Sequence, residues 1–200
     1  MRKNIGMCLA TLTLLGLTAC QSPKLPVSEA VQAQHSPSYS EGIEQQPMTN
    51  IEQLYQLTGL TWGMSQQDVI NKMGEPIQDE FDRAYYVVNE WDIFPNLPVM
   101  DQYLRIYYEG EEGIESDARM QGMAFVFAFD MDGGVGEKMM KAVQQLCKTE
   151  PIAQGPSNGE YEYTVYQTDQ FDVNASFIPI QENEQYEGTI EIYPVGYWGE

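Results

Sequence analysis

The segment 121–130 constrains the fold more than any other part of the chain, because it is apolar at almost every position. One face carries large residues and the other carries small ones, namely Met123, Phe125, Phe127 and Phe129 against Ala124, Val126 and Ala128. Successive side chains of a strand point to opposite faces of a sheet. A strand with two apolar faces needs cover on both sides, so this segment is predicted to be a central strand.

Five further runs have the composition of β-strands. They are rich in aromatic and β-branched residues, and proline, glycine or acidic residues separate them. These runs are residues 83–91, 102–109, 160–168, 171–178 and 188–193. Within residues 171–178 apolar positions alternate with polar ones, which predicts one packed face and one face in water.

Three short helices are predicted to accompany the strands. Thr49 is the expected cap of the first helix, which Gly59 ends. Ser65 is the expected cap of the second, and Gly74 supplies the residue that ends it. The third helix is predicted over residues 137–148, before the last three strands.

The resulting element order is ααβββ followed by αβββ. An antiparallel sheet with helices on one face buries the apolar stripes of such elements. We therefore predict an α+β fold, a two-layer sandwich. Its two tandem units are residues 49–131 and residues 132–200, and both contribute to the same sheet.

The N-terminus has the layout of an export signal. Arg2 and Lys3 precede an apolar stretch that is too short to span a bilayer, and small residues follow it. The residues before Cys20 resemble the lipobox of bacterial lipoproteins, which implies removal of residues 1–19 and acylation of Cys20. Gln21 in place of an aspartate implies sorting to the outer membrane, facing the periplasm.

Residues 20–48 are rich in serine, proline and glutamine, which predicts a disordered tether between the lipid and the folded part. The chain holds 30 acidic and 10 basic residues, a formal net charge of −20. Nucleic acid is excluded as a partner, because its binding needs clustered basic residues. Membrane contact is expected through the lipid anchor only, and the expected partner is an envelope protein with a basic surface.

Metal, cofactor and enzyme functions are not expected. His35 is the single histidine, and Cys147 is the thiol that remains once Cys8 is removed and Cys20 is acylated. This set cannot form a structural zinc site or a nucleophile with a histidine base. Residues 130–134 contain two aspartates and two glycines, but Lys141 occupies the twelfth position of a calcium loop, so we interpret them as a turn.

Two loops are candidate partner-binding segments. The loop 91–100, here called the proline loop, carries the apolar residues Trp91, Phe94, Leu97 and Met100. Such residues anchor protein interfaces when they are exposed, and the alternative is that the loop folds down and extends the core. The second candidate, Glu111 and Glu112 in an acidic loop, would enter a basic cleft of a partner, unless the loop is only solvated.

Residues 63–76 read GMSQQDVINKMGEP. They resemble the Gly-Met-Thr/Ser…Val…Leu-Gly-x-Pro helix of the BamE (SmpA/OmlA) family of small outer-membrane lipoproteins, with Met73 in place of the usual leucine. This resemblance covers roughly residues 50–130. It implies a non-catalytic protein-binding module in outer-membrane protein assembly or envelope integrity.

The repetition of a helix and strand unit is similar to the architecture of the β-lactamase inhibitor protein family. That similarity implies an alternative function, a periplasmic inhibitor of a hydrolase of the lysozyme or β-lactamase type. In that case the acidic loop with Glu111 and Glu112 would be inserted into the enzyme.

Overall fold

A computed structural model describes residues 48–80, 82–109, 118–130, 134–157, 161–180 and 185–197. Its helices are α1 (Ile51–Leu57), α2 (Gln66–Met73) and α3 (Val135–Cys147). Its strands are β1 (Gln78–Glu80), β2 (Arg83–Val87), β3 (Val99–Tyr108), β4 (Met120–Asp130), β5 (Ala153–Ser157), β6 (Tyr161–Gln167), β7 (Phe171–Ile180) and β8 (Gln185–Pro194).

All eight strands belong to one antiparallel sheet with the order β1-β2-β3-β4-β8-β7-β6-β5. Strands β1 to β4 form one meander, and β5 to β8 form a second. The two meanders meet through their last strands, β4 and β8, which pair from Met123↔Ile192 to Asp130↔Gln185. Because β4 has a neighbour on both sides, the prediction that it is a central strand is confirmed.

The predicted fold class is wrong. The described residues are mostly an eight-stranded antiparallel sheet with three short helices, 46% strand against 22% helix, and not a two-layer α+β sandwich of ααβββ and αβββ units. The helices are too few and too short to form a second layer. Over β4 the proline loop provides the cover instead, since the rings of Trp91 and Phe125 lie 6.2 Å apart and those of Phe94 and Phe127 5.1 Å apart.

The two strands that the sequence did not predict are the edges of the sheet. Strand β1 reads QDE, and β5 reads AQGPS, with a glycine and a proline. Short, charged or proline-containing strands are typical of sheet edges, where they discourage pairing with another chain. Neither segment has the apolar alternation that reveals a strand, so each meander has one strand more than predicted.

Helix α3 packs against β7 and approaches β6 and β8. Its stripe of Met139, Val143 and Leu146 is buried, as predicted. Two glycines allow the close approach. A Cβ atom at Gly136 would lie 2.7 Å from the Phe177 ring, and one at Gly188 would collide with the Met139 side chain.

The helix termini follow local side-chain chemistry. The cap of α2 is confirmed, because Ser65 accepts a hydrogen bond from the Asp68 backbone N–H and the Asp68 carboxylate accepts one from the Ser65 backbone N–H. The expected cap of α1 was wrong by one residue. Asn50 accepts from the Gln53 backbone N–H at 2.8 Å, while Thr49 donates its backbone N–H to the Gln53 side chain.

Candidate interface on the open face of the sheet

The two faces of the sheet have different surroundings. The buried residues of all three helices belong to one hydrophobic cluster, together with the strand residues that point to the same side. Tyr85, Ala124, Val126 and Tyr193 point to the other side and are buried, but they lie outside that cluster. Long side chains of neighbouring strands, rather than described helices, therefore flank them. We call this side the open face.

One row of side chains crosses the open face from β2 to β7. In the strand register Tyr85 pairs with Arg105, Arg105 with Ala124, Ala124 with Glu191, and Glu191 with Asn174. Directly opposed side chains in a sheet lie close enough to interact. Ala124 has no exposed surface, so the longer side chains around it cover this position.

Hydrogen bonds link this row into a network through Tyr107. Arg105 Nη1 donates to the Tyr107 hydroxyl at 3.3 Å, and that hydroxyl donates to Glu191 Oε1 at 2.9 Å. Asn174 Nδ2 donates to Glu191 Oε2 at 3.0 Å. The Arg105 guanidinium also lies 5.0 Å from the centre of the Tyr85 ring, within the range of a cation–π contact. Burial, and then the charge of Glu191, raises the pKa of Tyr107.

Two buried polar atoms of the network have no hydrogen-bond partner in the described structure. They are Arg105 Nε, a donor, and Asn174 Oδ1, an acceptor. Buried polar groups are nearly always paired, because an unpaired one loses its hydration without compensation. Both atoms are covered by neighbouring side chains, so a partner group reaches them only when those side chains move.

Tyrosine rings extend the open face beyond this row. The ring of Tyr193 stacks on Tyr107 with 5.9 Å between centroids and on Tyr197 with 4.1 Å. The Tyr193 ring lies over Gly122, where a side chain would collide with it. Tyrosine is favoured at protein interfaces because its rigid ring buries a large area and its hydroxyl still forms hydrogen bonds.

The proline loop is not an exposed anchor as a whole. Trp91 and Phe94 are buried, with 3% and 8% of their surfaces accessible, so for these two residues the core alternative describes their position. Leu97 is partly buried against the same core. Met100 is 47% exposed and accepts a hydrogen bond at Sδ from Gln185 Nε2. Partner binding by the four residues stays a prediction.

Other predicted positions lie outside the described residues. These are the lipidation residue Cys20, the acidic residues Glu111 and Glu112, and residues 131–133 of the calcium-like turn. Within the described ranges, no group of three or more histidine, cysteine, aspartate or glutamate side chains could hold a metal ion. None of the helices in these ranges is long and apolar enough to cross a membrane.

The sequence reasoning missed the residues of the open-face network. A signal was present in β3, where Tyr103, Arg105 and Tyr107 alternate with the buried Leu104 and Ile106. Such a run of large polar residues on one face indicates that this face is not ordinary solvated surface. The positions of Glu191 and Asn174 beside Arg105 could not be found, since they depend on the pairing of β4 with β8.

No protein family matches this chain, and neither the curated proteins nor the solved structures include a significant match.

Proposed function

We propose that this protein is a lipid-anchored, non-catalytic protein-binding module of the bacterial envelope, and that the open face receives the partner. The observation that carries the proposal is the tyrosine-rich open face, on which the rings of Tyr107, Tyr193 and Tyr197 stack and which no described helix covers. An interface would cover these rings. The sequence resemblance to the BamE family adds the expected setting, which is outer-membrane protein assembly or envelope integrity.

The partner we expect is a protein with a basic surface. The net charge of −20 attracts a cationic protein at long range, and the open face itself carries the partly exposed acids Asp101, Glu187 and Glu191. At short range the partner would pack on the tyrosine rings of the open face.

Photo-crosslinking in cells tests the proposal. A photoreactive residue at Ser176, which lies on the open face of β7, should capture one envelope protein. The same residue at the exposed Gln144 of α3 is the matched control and should not. If Ser176 captures no protein, or the same proteins as Gln144, the open face is not the interface. Capture of a secreted hydrolase would instead support the inhibitor function.

A charge variant tests the electrostatic part separately. Ala128 lies between Asp101 and Glu187 on the open face, so Ala128→Arg should repel a basic partner and lower its affinity at least tenfold. Gln144→Arg adds the same charge on α3 and should leave the affinity unchanged. The affinity for the captured protein would be measured at two salt concentrations, since a screened attraction weakens as salt rises. Equal affinities for both variants would contradict a basic partner at this face.

The lipid anchor has its own test. Acyl chains on Cys20 would hold the protein at the membrane, because each buried methylene contributes about 0.8 kcal/mol. The Cys20→Ala variant should leave the membrane fraction, and mass spectrometry of the wild type should find acyl chains on the N-terminal cysteine. If the variant stays in the membrane fraction and the wild-type thiol is unmodified, the anchor part of the proposal is wrong.

A further inference from the structure

A cavity of about 490 Å³ lies between the proline loop, the residues before α1 and one side of α3. Its volume is within the range of sites that hold small organic molecules, roughly 300–1,000 Å³. Ile93, Phe94 and Leu146 line it and are buried, so its interior is apolar. Met48 and Thr49, where the described part of the chain begins, also line it.

Two lysines line the same cavity. Lys138 and Lys141 are exposed and one helical turn apart on α3, on the side of the helix that its buried stripe leaves free. No carboxylate is among the lining residues, although the chain has 30 acids and only 10 basic residues. Within the described part of the chain, neither lysine side chain has an ion pair.

An apolar interior with a cationic rim selects a ligand with an apolar body and an anionic end. We propose that this cavity binds a single-chain amphipathic anion of the fatty-acid type. Its hydrocarbon chain would pack against Phe94, Leu97 and Leu146, and its carboxylate would lie between Lys138 and Lys141. A lipid with two acyl chains would not fit in this volume. The inference is independent of the open face, which is on the other side of the sheet.

Calorimetric titration with saturated fatty acids below their micelle concentrations tests this site. The mature chain with Cys20→Ala is used, because it keeps every described residue and lacks acyl chains that would compete. We expect saturable 1:1 binding that strengthens up to about fourfold for each methylene added, the equivalent of about 0.8 kcal/mol, until the cavity is full. Acetate alone should not bind. Absence of saturable fatty-acid binding would overturn the proposal.

Variants locate the bound molecule. Lys138→Gln with Lys141→Gln should weaken palmitate binding at least tenfold and leave binding of the uncharged hexadecanol unchanged. Lys148→Gln removes one charge at the exposed C-terminus of the same helix and is the control, which should bind palmitate like the wild type. If the double variant binds palmitate as tightly as the control, the lysines do not hold the carboxylate and the proposal fails.

A second variant separates this cavity from other apolar surfaces. Leu97→Trp places a larger side chain in the cavity, so binding of both palmitate and hexadecanol should be lost while thermal unfolding stays cooperative. Unchanged binding in a folded Leu97→Trp variant would place the ligand elsewhere and refute the assignment. The lysine variants keep the test valid if Leu97→Trp does not fold, because both lysine side chains are exposed.

Discussion

The substitution Gly122→Ala tests the packing of the open face most directly. The backbone of Gly122 does not need positive φ, but a Cβ atom there would lie 2.5 Å from Cδ1 and 3.2 Å from Cζ of Tyr193. Favourable carbon contacts are about 3.5–4.0 Å, so the ring would have to move by roughly 1 Å. The rings of Tyr107 and Tyr197 both stack on the Tyr193 ring and restrict that movement.

Two effects of opposite sign decide the result. Overpacking of this kind typically costs about 1–3 kcal/mol, whereas replacing glycine by alanine lowers the entropy of the unfolded chain and stabilises by about 0.4–1 kcal/mol. We therefore expect Gly122→Ala to lower the free energy of unfolding by about 1–2 kcal/mol. In the Tyr193→Ala background the ring is absent, and the same substitution should stabilise by about 0.4–1 kcal/mol.

Urea unfolding of the four proteins of this double-mutant cycle, followed by tryptophan fluorescence, gives the coupling energy. Gly155→Ala is the matched control. It is a strand glycine that also opposes a tyrosine, but its Cβ would lie 3.7 Å from the Tyr163 hydroxyl, an ordinary contact. A penalty for Gly122→Ala that is equally large without the Tyr193 ring would show that the ring does not cause it.

Three further outcomes are expected. Burial raises the pKa of Tyr86 to about 12. The stability that its buried neutral hydroxyl contributes should therefore be complete below pH ~10 and lost between pH ~10 and ~12. In urea titrations Tyr86→Phe should flatten that decline. Burial raises the pKa of Cys147 to about 12, so its thiol should react with a disulfide reagent at pH 8 on the order of 10³-fold more slowly in the folded protein than in urea. Ser65→Ala should lower the free energy of unfolding by about 1 kcal/mol, and the exposed Gln67→Ala, measured in the same thermal melts, should change it little.

The sequence was sufficient where local chemistry decides the structure. Ser65 and Asp68 satisfy each other's backbone within one turn, and Gly74 has the positive φ that ends α2. The two apolar faces of β4 indicated its central position correctly. In each case the signal lies within about ten residues of the element that it specifies.

The sequence alone did not predict the features that depend on contacts between distant segments. Edge strands β1 and β5 exist because a neighbour supplies their hydrogen bonds, and their own residues do not favour a strand. The residues around Trp91 and Phe94 do not distinguish an exposed anchor from a core residue, because the rings that contact them, those of Phe125 and Phe127, lie on another strand. The open-face network likewise depends on pairing between residues that are far apart in the chain.

The pairing of β4 with β8 has a consequence for how the protein folds during its synthesis. Strand β8 is the last of the described elements, yet it pairs with the most apolar strand of the sheet. Until residues 185–194 have been synthesised, β4 presents a free hydrophobic edge, and such edges recruit other chains. Nascent copies should therefore depend on a chaperone, and premature termination a few codons before β8 should produce insoluble protein.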